Sequence, residues 1–204
     1  MDHKQHWDRV YGEKSEQELS WHQDSPAVSL DLMHEAKITT ASSVIDIGGG
    51  TSRVAENLLD MGLRDVTVLD LSENALRDAQ DRLGPASASV TWIAADITCW
   101  QPERQFDIWH DRAVFHFLID PSDRAAYIAC LSRSIPPGGH AIIATFALDG
   151  PEKCSGLPVQ RYSPETLSAA LGPGFQLLAH RAHLHQTPWR APQSFQFSLF
   201  RVTG

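Results

Sequence analysis

The stretch Val44-Ile45-Asp46-Ile47-Gly48-Gly49-Gly50-Thr51-Ser52-Arg53 constrains the fold of this chain more than any other. A short apolar run closed by an acid is followed by three glycines and then by residues at helical spacing. It predicts strand, tight turn and helix in succession. Three consecutive glycines permit dihedrals closed to other residues and let a ligand approach the main chain without meeting a Cβ. A nucleotide-like ligand on this turn is the first expectation.

The residues around the turn narrow the ligand. A dinucleotide fingerprint G-x-G-x-x-G begun at Gly48 needs a third glycine where the chain has Arg53. A phosphate-binding P-loop needs a Gly-Lys-Ser/Thr ending, and none follows. What remains is acid-x-Gly-x-Gly, with Asp46 two residues before the first glycine. That acid would repel a pyrophosphate and suits a ligand that presents a cation. S-adenosylmethionine, with its α-ammonium and sulfonium, is such a ligand.

The strand, turn and helix logic then repeats. Strand 43–47 leads to a helix over 51 to about 62, with Val54, Ala55, Leu58 and Leu59 on one stripe and Gly62 closing it. Strand 66–70 ends in Asp70, and Ser72 caps a helix carrying Ala75, Leu76, Ala79 and Leu83. Strand 90–94 leads to Ala95-Asp96-Ile97, and strand 106–109 runs into His110-Asp111-Arg112. Asp120-Pro121 opens a helix that Pro136-Pro137-Gly138-Gly139 ends, and strand 140–146 follows. Ser163-Pro164-Glu165 starts a further helix. Residues 174–184 and 193–202 read as two extended strands, the second interrupted by Gln196, Ser198 and Arg201 as at a sheet edge. Ahead of all this stand a short amphipathic helix over 2–12, a polar loop over 13–20, and a helix over 26–36 with Ser25 as N-cap and Pro26 at its first position.

Alternation of this kind predicts an α/β fold: a doubly wound, mostly parallel seven-stranded sheet with a C-terminal antiparallel hairpin and helices on both faces. With 204 residues the chain reads as a single domain over 1–204. Within it, 1–36 would be a helical lid or substrate segment and 43–204 a cofactor-binding core. Trp7 and Trp21 either anchor the N-terminal segment on the core or close over the ligand. Ligands of such sheets bind beyond the carboxyl ends of the strands, so Asp46, Asp70, Asp96 and Asp111 should line one crevice. Each acid alone could equally be a turn former or helix cap.

Seventeen basic and 25 acidic residues give a net charge of −8, which disfavours nucleic acid and anionic membrane as partners. No run of 18 apolar residues exists, and Met1-Asp2-His3-Lys4-Gln5-His6 lacks the apolar core of a signal peptide, so a cytoplasmic protein is expected. Cys99, Cys130 and Cys154 are too widely spaced for a disulfide framework or a C-x-x-C metal site. The His183-Leu184-His185 pair has no third ligand nearby, and no metal is expected.

Taken together the motifs resemble class I S-adenosylmethionine-dependent methyltransferases over roughly residues 20–202. Asp46-Ile47-Gly48-Gly49-Gly50 is similar to that family's first motif, whose turn holds the methionine moiety and ribose. Asp70 matches the acid that binds the ribose hydroxyls, and Asp96-Ile97 the pair that contacts adenine. The intervals of 24 and 26 residues between these acids each fit one strand, one helix and turns. The family's turn often carries a further glycine where this chain has Ser52. The resemblance implies S-adenosylmethionine as cofactor and S-adenosylhomocysteine as product, with Trp21, Leu71 and His110 beside those motifs in the binding site. The combination of Trp7, Trp21 and Asp111-Arg112-Ala113 resembles the thiopurine-methyltransferase-like branch and the small lysine methyltransferases. The stretch His110 to Phe117 tips the expectation toward a small-molecule acceptor, with a protein lysine as the alternative and a non-catalytic cofactor-binding protein as a second.

Methyl transfer asks for alignment, exclusion of water and a place for the acceptor's proton. Histidine has the suitable pKa. His110, at the mouth of the fourth strand, is the first candidate base, and His116 the second. The acceptor is expected to meet Asp111, Arg112, Phe146, Cys154 and Arg161, the last three at or after the end of the fifth strand. The Gly- and Pro-containing stretch 146–158 has the composition of a lid. Cys154 would be a soft contact for a thiol or metalloid, and Arg161 a partner for an anion.

Overall fold

The computed structural model describes residues 3–203. A seven-stranded sheet carries the molecule. Its strands are β1 (Ser43–Ile47), β2 (Asp65–Asp70), β3 (Val90–Ala94), β4 (Ile108–Arg112), β5 (His140–Phe146), β8 (Phe175–Gln186) and β9 (Pro192–Val202). A two-stranded ribbon, β6 (Lys153–Cys154) and β7 (Leu157–Pro158), stands apart. The order across the sheet is β3-β2-β1-β4-β5-β9-β8, with β1 to β5 parallel and β9 antiparallel to both neighbours. The chain travels from β1 outward to β3 and then resumes at β4 on the other side of β1. Strand order therefore reverses between β1 and β4, and the loops leaving those two strands diverge to open a crevice.

Six helices, α1 (His3–Glu13), α2 (Ala27–Glu35), α3 (Val54–Asp60), α4 (Glu73–Leu83), α5 (Pro121–Ser134) and α6 (Pro164–Leu171), accompany the sheet. Alternate strand residues feed two cores. Val44, Val68, Ile108, Ile142 and Leu199 pack with Leu32 and Met33 of α2 and Leu58 of α3 on one face. Ile45, Ile47, Trp109, Ile143 and Phe200 pack with Tyr127 and Leu131 of α5 and Leu167 of α6 on the other. This is the fold the alternation predicts, and the caps at Ser72, Asp120 and Ser163 form as expected.

Four local expectations are corrected. β4 runs over 108–112 instead of 106–109, because Asp107 turns aside to accept from the Ser43 main chain at 2.8 Å while His110 and Asp111 find buried partners. α3 starts at Val54, since Thr51 to Arg53 are held in a turn by Ser52 N donating to Gly49 O at 2.6 Å. Pro26 itself is the N-cap of α2, with no side-chain cap from Ser25. The last strand is interior: β8 forms the edge, and the polar residues of β9 are satisfied sideways. Gln196 Nε2 donates to Thr145 Oγ1 at 2.9 Å, and Ser198 Oγ donates to Gln196 Oε1 at 2.6 Å. Asp2, where the first helix was expected to begin, lies outside the described residues.

Candidate active site

At the reversal point, the glycine turn adopts the geometry that its composition invites. Gly48 sits at φ +64° and Gly50 at φ +32°. Gly48 N donates to Leu69 O at 2.7 Å, which ties the turn to the end of β2. A Cβ on Gly49 would lie 2.6 Å from Val68 Cγ1 and 2.7 Å from Asp46 Oδ2, and one on Gly50 would lie 2.8 Å from Asp70 Oδ2. The turn thus lies hard against both acids. Beyond it opens a cavity of about 240 Å³.

The cavity has an acidic side. Asp46, Asp70 and Asp96 all line it, with Leu71 and Ile97 between them. Asp46 is buried; its Oδ1 bonds His110 Nδ1 at 2.6 Å, and its Oδ2 has no partner. Asp70 Oδ1 accepts from Ser72 N at 2.8 Å. Burial, reinforced by the Asp46 charge, pushes the Asp70 carboxyl up to about 7 against the pull of its main-chain donors. Asp96 is exposed, and its Oδ1 accepts from Thr98 N and Thr98 Oγ1 at 2.9 and 2.7 Å.

The roof comes from the N-terminus. Trp7 and Tyr11 of α1 and Trp21 line the cavity and interlock edge to face: Trp7 lies 5.7 Å from Trp21 and 5.1 Å from Phe117 between ring centroids. Tyr11 lies 5.9 Å from Trp21. α1 is fastened to α4, where Ser72 Oγ donates to Asp8 Oδ1 at 2.7 Å and Asn74 Nδ2 to Asp8 O at 3.1 Å. Behind the roof, Glu16 and Glu56 share Arg53 and Arg82 across the glycine-turn loop. Arg112, Cys154, Gln193 and Phe195 also line the cavity.

This donor set fits a nucleoside bearing an ammonium. The unpartnered Asp46 oxygen is an acceptor for a cation, Asp70 can accept from a diol, and the glycine turn admits a ligand to the main chain. Residues 44–139 match the methyltransferase domain family. The seven-stranded sheet around them is the Rossmann-like fold of S-adenosylmethionine-dependent methyltransferases. Among solved structures, an N-methyltransferase from Bradyrhizobium japonicum WM9 in complex with S-adenosyl-L-homocysteine aligns over the whole of both chains with a TM-score of 0.73 at 18% identity. The eEF1A lysine and N-terminal methyltransferase of Mus musculus is 20% identical over 70% of this chain and 21% of its own. Thiocyanate methyltransferase 1 of Brassica oleracea is 31% identical over 50% of this chain and 44% of its own. The chain therefore spans about a fifth of the mouse protein and under half of the Brassica one.

The fold gathers Trp21, Asp46, Gly48, Gly49, Asp70, Leu71, Asp96, Ile97, Arg112 and Cys154 around one cavity, with Gly50 just behind Asp70. Besides Gly50, five expected site residues do not line it. His110 is fully buried in β4, one ring nitrogen on Asp46 and the other 2.8 Å from Ser29 Oγ of α2, so it has no nitrogen to offer an acceptor. His116 is buried among Phe117 and Phe146, and desolvation pulls its pKa down to about 3. Asp111 falls on the opposite face of the sheet, where it accepts from Tyr127 Oη at 2.5 Å and from Val114 N and Phe115 N; burial raises it to about 6 despite these donors. Phe146 packs into the core behind Phe195. Arg161 donates to Gly150 O and pairs with Glu152 outside the cavity.

Among the lining residues missed by sequence reading, Tyr11 and His3 come from the N-terminal segment, Gln193 and Phe195 from the last strand, and Phe117 from the stretch after β4. The aromatic clustering of 7–21 was the available signal for the first of them. Nothing local marks Gln193 or Phe195, which reach the site only because β9 pairs with β5. His183 and His185 do share a face, each with a ring nitrogen 3.4 Å from Gln23 Nε2, and His185 Nε2 lies 2.7 Å from Ser20 O. Among the described residues no group of three or more His, Cys, Asp or Glu could hold a metal.

Proposed function

We propose that this protein transfers a methyl group from S-adenosylmethionine to a small-molecule O, N or S acceptor in the cytoplasm. The observation that carries the reading is the roofed cavity of about 240 Å³, lined by strand-end acids and the glycine turn and by the aromatic side chains of residues 3–21. When bound, S-adenosylmethionine supplies an activated methyl group. Asp46 Oδ2 takes its ammonium, Asp70 its ribose hydroxyls, and Asp96 with Ile97 its adenine. Gly48 and Gly49 admit its amino-acid end to the main chain. The Trp7, Trp21 and Phe117 rings exclude water from the acceptor side. His110 acts through Asp46, fixing the carboxylate from behind.

A protein lysine as acceptor is the second reading, favoured by the likeness to the mouse eEF1A enzyme. Incubation with methyl-labelled S-adenosylmethionine, small thiols, phenols and amines, and separately with cell-extract proteins, tests both. Label in small products supports the proposal. Label confined to one protein band replaces it with the second reading. S-adenosylhomocysteine binding with no label transfer to any acceptor leaves a cofactor-binding protein.

A further inference from the structure

Arg112 occupies the last position of β4 and lines the cavity. Strand alternation puts it on the same face as Asp46 and His110, away from Asp111. Its Nη1 donates to two uncharged acceptors, the Trp21 carbonyl oxygen at 3.0 Å and Gln23 Oε1 at 2.9 Å. Arg53, Arg82, Arg104, Arg161 and Arg181 each pair with a carboxylate. Arg112, half-buried and with its pKa lowered by desolvation, pairs with none among the described residues.

The groups around it do not supply the missing charge. Asp46 favours the guanidinium from a distance, but its Oδ1 is committed to His110 and its Oδ2 faces the donor side. Burial keeps the Tyr11 hydroxyl and the Cys154 thiol protonated, the latter raised to about 11. His183 and His185 are held toward their neutral forms by burial first and by Arg112 itself second or third. The cavity therefore holds both carboxylates and a guanidinium that forms an ion pair with none of them. A guanidinium with planar donors to spare in a desolvated wall is suited to a carboxylate or similar anion.

We propose that the acceptor is an anion and that Arg112 is its docking group. This rests on the small-molecule reading above and narrows it to a charge class. An acceptor whose nucleophilic atom is itself the anion needs no proton removed, which agrees with His110 and His116 standing outside the cavity. The carboxylate of the donor's own amino-acid end shares this chemistry, so the test separates the two.

Acetate, benzoate and thiocyanate, with acetamide and benzamide as neutral counterparts, are titrated calorimetrically into the complex with S-adenosylhomocysteine. The anions are expected to bind about tenfold or more tightly than the amides, the scale of a charge-assisted contact, and chloride to compete. In Arg112→Gln the preference should vanish while affinity for S-adenosylhomocysteine changes less than about threefold; Arg112→Lys should keep part of it. Equal binding of anions and amides by the wild type overturns the proposal. So does a loss of S-adenosylhomocysteine affinity in Arg112→Gln as large as the loss of benzoate affinity, which would assign the guanidinium to the donor. Should Arg112→Gln fail to fold, the wild-type preference, its suppression by chloride and its survival in Arg112→Lys decide, and absence of any one overturns it. Methylation of neutral acceptors alone would overturn the charge class and leave the methyltransferase reading standing; anion preference without turnover would do the reverse.

Discussion

Asp70 is 6% exposed and its carboxyl is raised from 3.8 to about 7, chiefly because burial disfavours the charge. A shift of about three units corresponds to about 4 kcal/mol. Because the folded-state pKa lies above the unfolded one, the unfolded chain gives up this proton first. The folded state is penalised progressively as pH rises from about 4 to about 7, and the penalty is constant above that. Asp70→Asn removes the charge, so the ligand-free protein is expected to be more stable at pH 8. The gain falls short of the full penalty, about 1 to 3 kcal/mol, since one amide oxygen must replace two carboxylate oxygens as acceptor for Ser72 N and Gly50 N. The same substitution, like Asp70→Ala, should weaken S-adenosylhomocysteine by about 1 to 3 kcal/mol through lost charge-assisted bonds to the ribose hydroxyls. In the wild type, where the ionised form is the better acceptor, affinity should rise with pH and level off above about 7, falling about tenfold per unit below it. Thermal unfolding and calorimetry from pH 5.5 to 8.5 (about the range of ordinary buffers on either side of that pKa) read both effects. An affinity flat across that range, or an Asp70→Asn protein neither stabilised alone nor impaired with ligand, would refute the reasoning.

Three further outcomes are expected. His110→Ala should cost about 2 to 4 kcal/mol of stability and weaken S-adenosylhomocysteine binding, because it strips Asp46 and Ser29 of a shared buried partner; lower turnover with donor affinity intact would restore His110 as a base. Gly49→Ala, with Val68 and Asp46 both inside normal contact distance of the new methyl, should lose about 1 to 3 kcal/mol of stability and most donor affinity by calorimetry. Trp7→Ala should leave the melting temperature of the core nearly unchanged, since α1 buries no residue fully, while the dissociation rate of S-adenosylhomocysteine rises in stopped flow; an unchanged rate would show that the roof is not a barrier to exit.

The parts of this site legible in the sequence are those whose chemistry and position are set within one strand and the turn after it. Asp46 and the glycines, Asp70 with Ser72, and Asp96 with Ile97 each act beside their own neighbours, and the fold only had to bring three turns to one end of a parallel sheet. His110 and Asp111 resisted reading because β4 ends where distant groups let it end. Ser29 and Tyr127, on helices that flank opposite faces of the sheet, hydrogen-bond the polar side chains of His110 and Asp111, which composition alone would place in a loop. Three added strand residues split the functional assignment, since alternation then sends Asp111 away from the crevice and Arg112 into it. The interior placement of β9 has the same origin: Gln196 and Ser198 look like edge residues until Thr145, on β5, is seen to complete their bonding. A polar residue in a strand thus carries two meanings, solvent or a partner, and the partner is far away in the chain. Asp70 and Asp96 were readable because their partners, Ser72 and Thr98, lie in the turns they precede. The Arg112 guanidinium was not, because its place in the cavity beside the Trp21 carbonyl and Gln23, with no carboxylate partner, depends on segments distant in the chain.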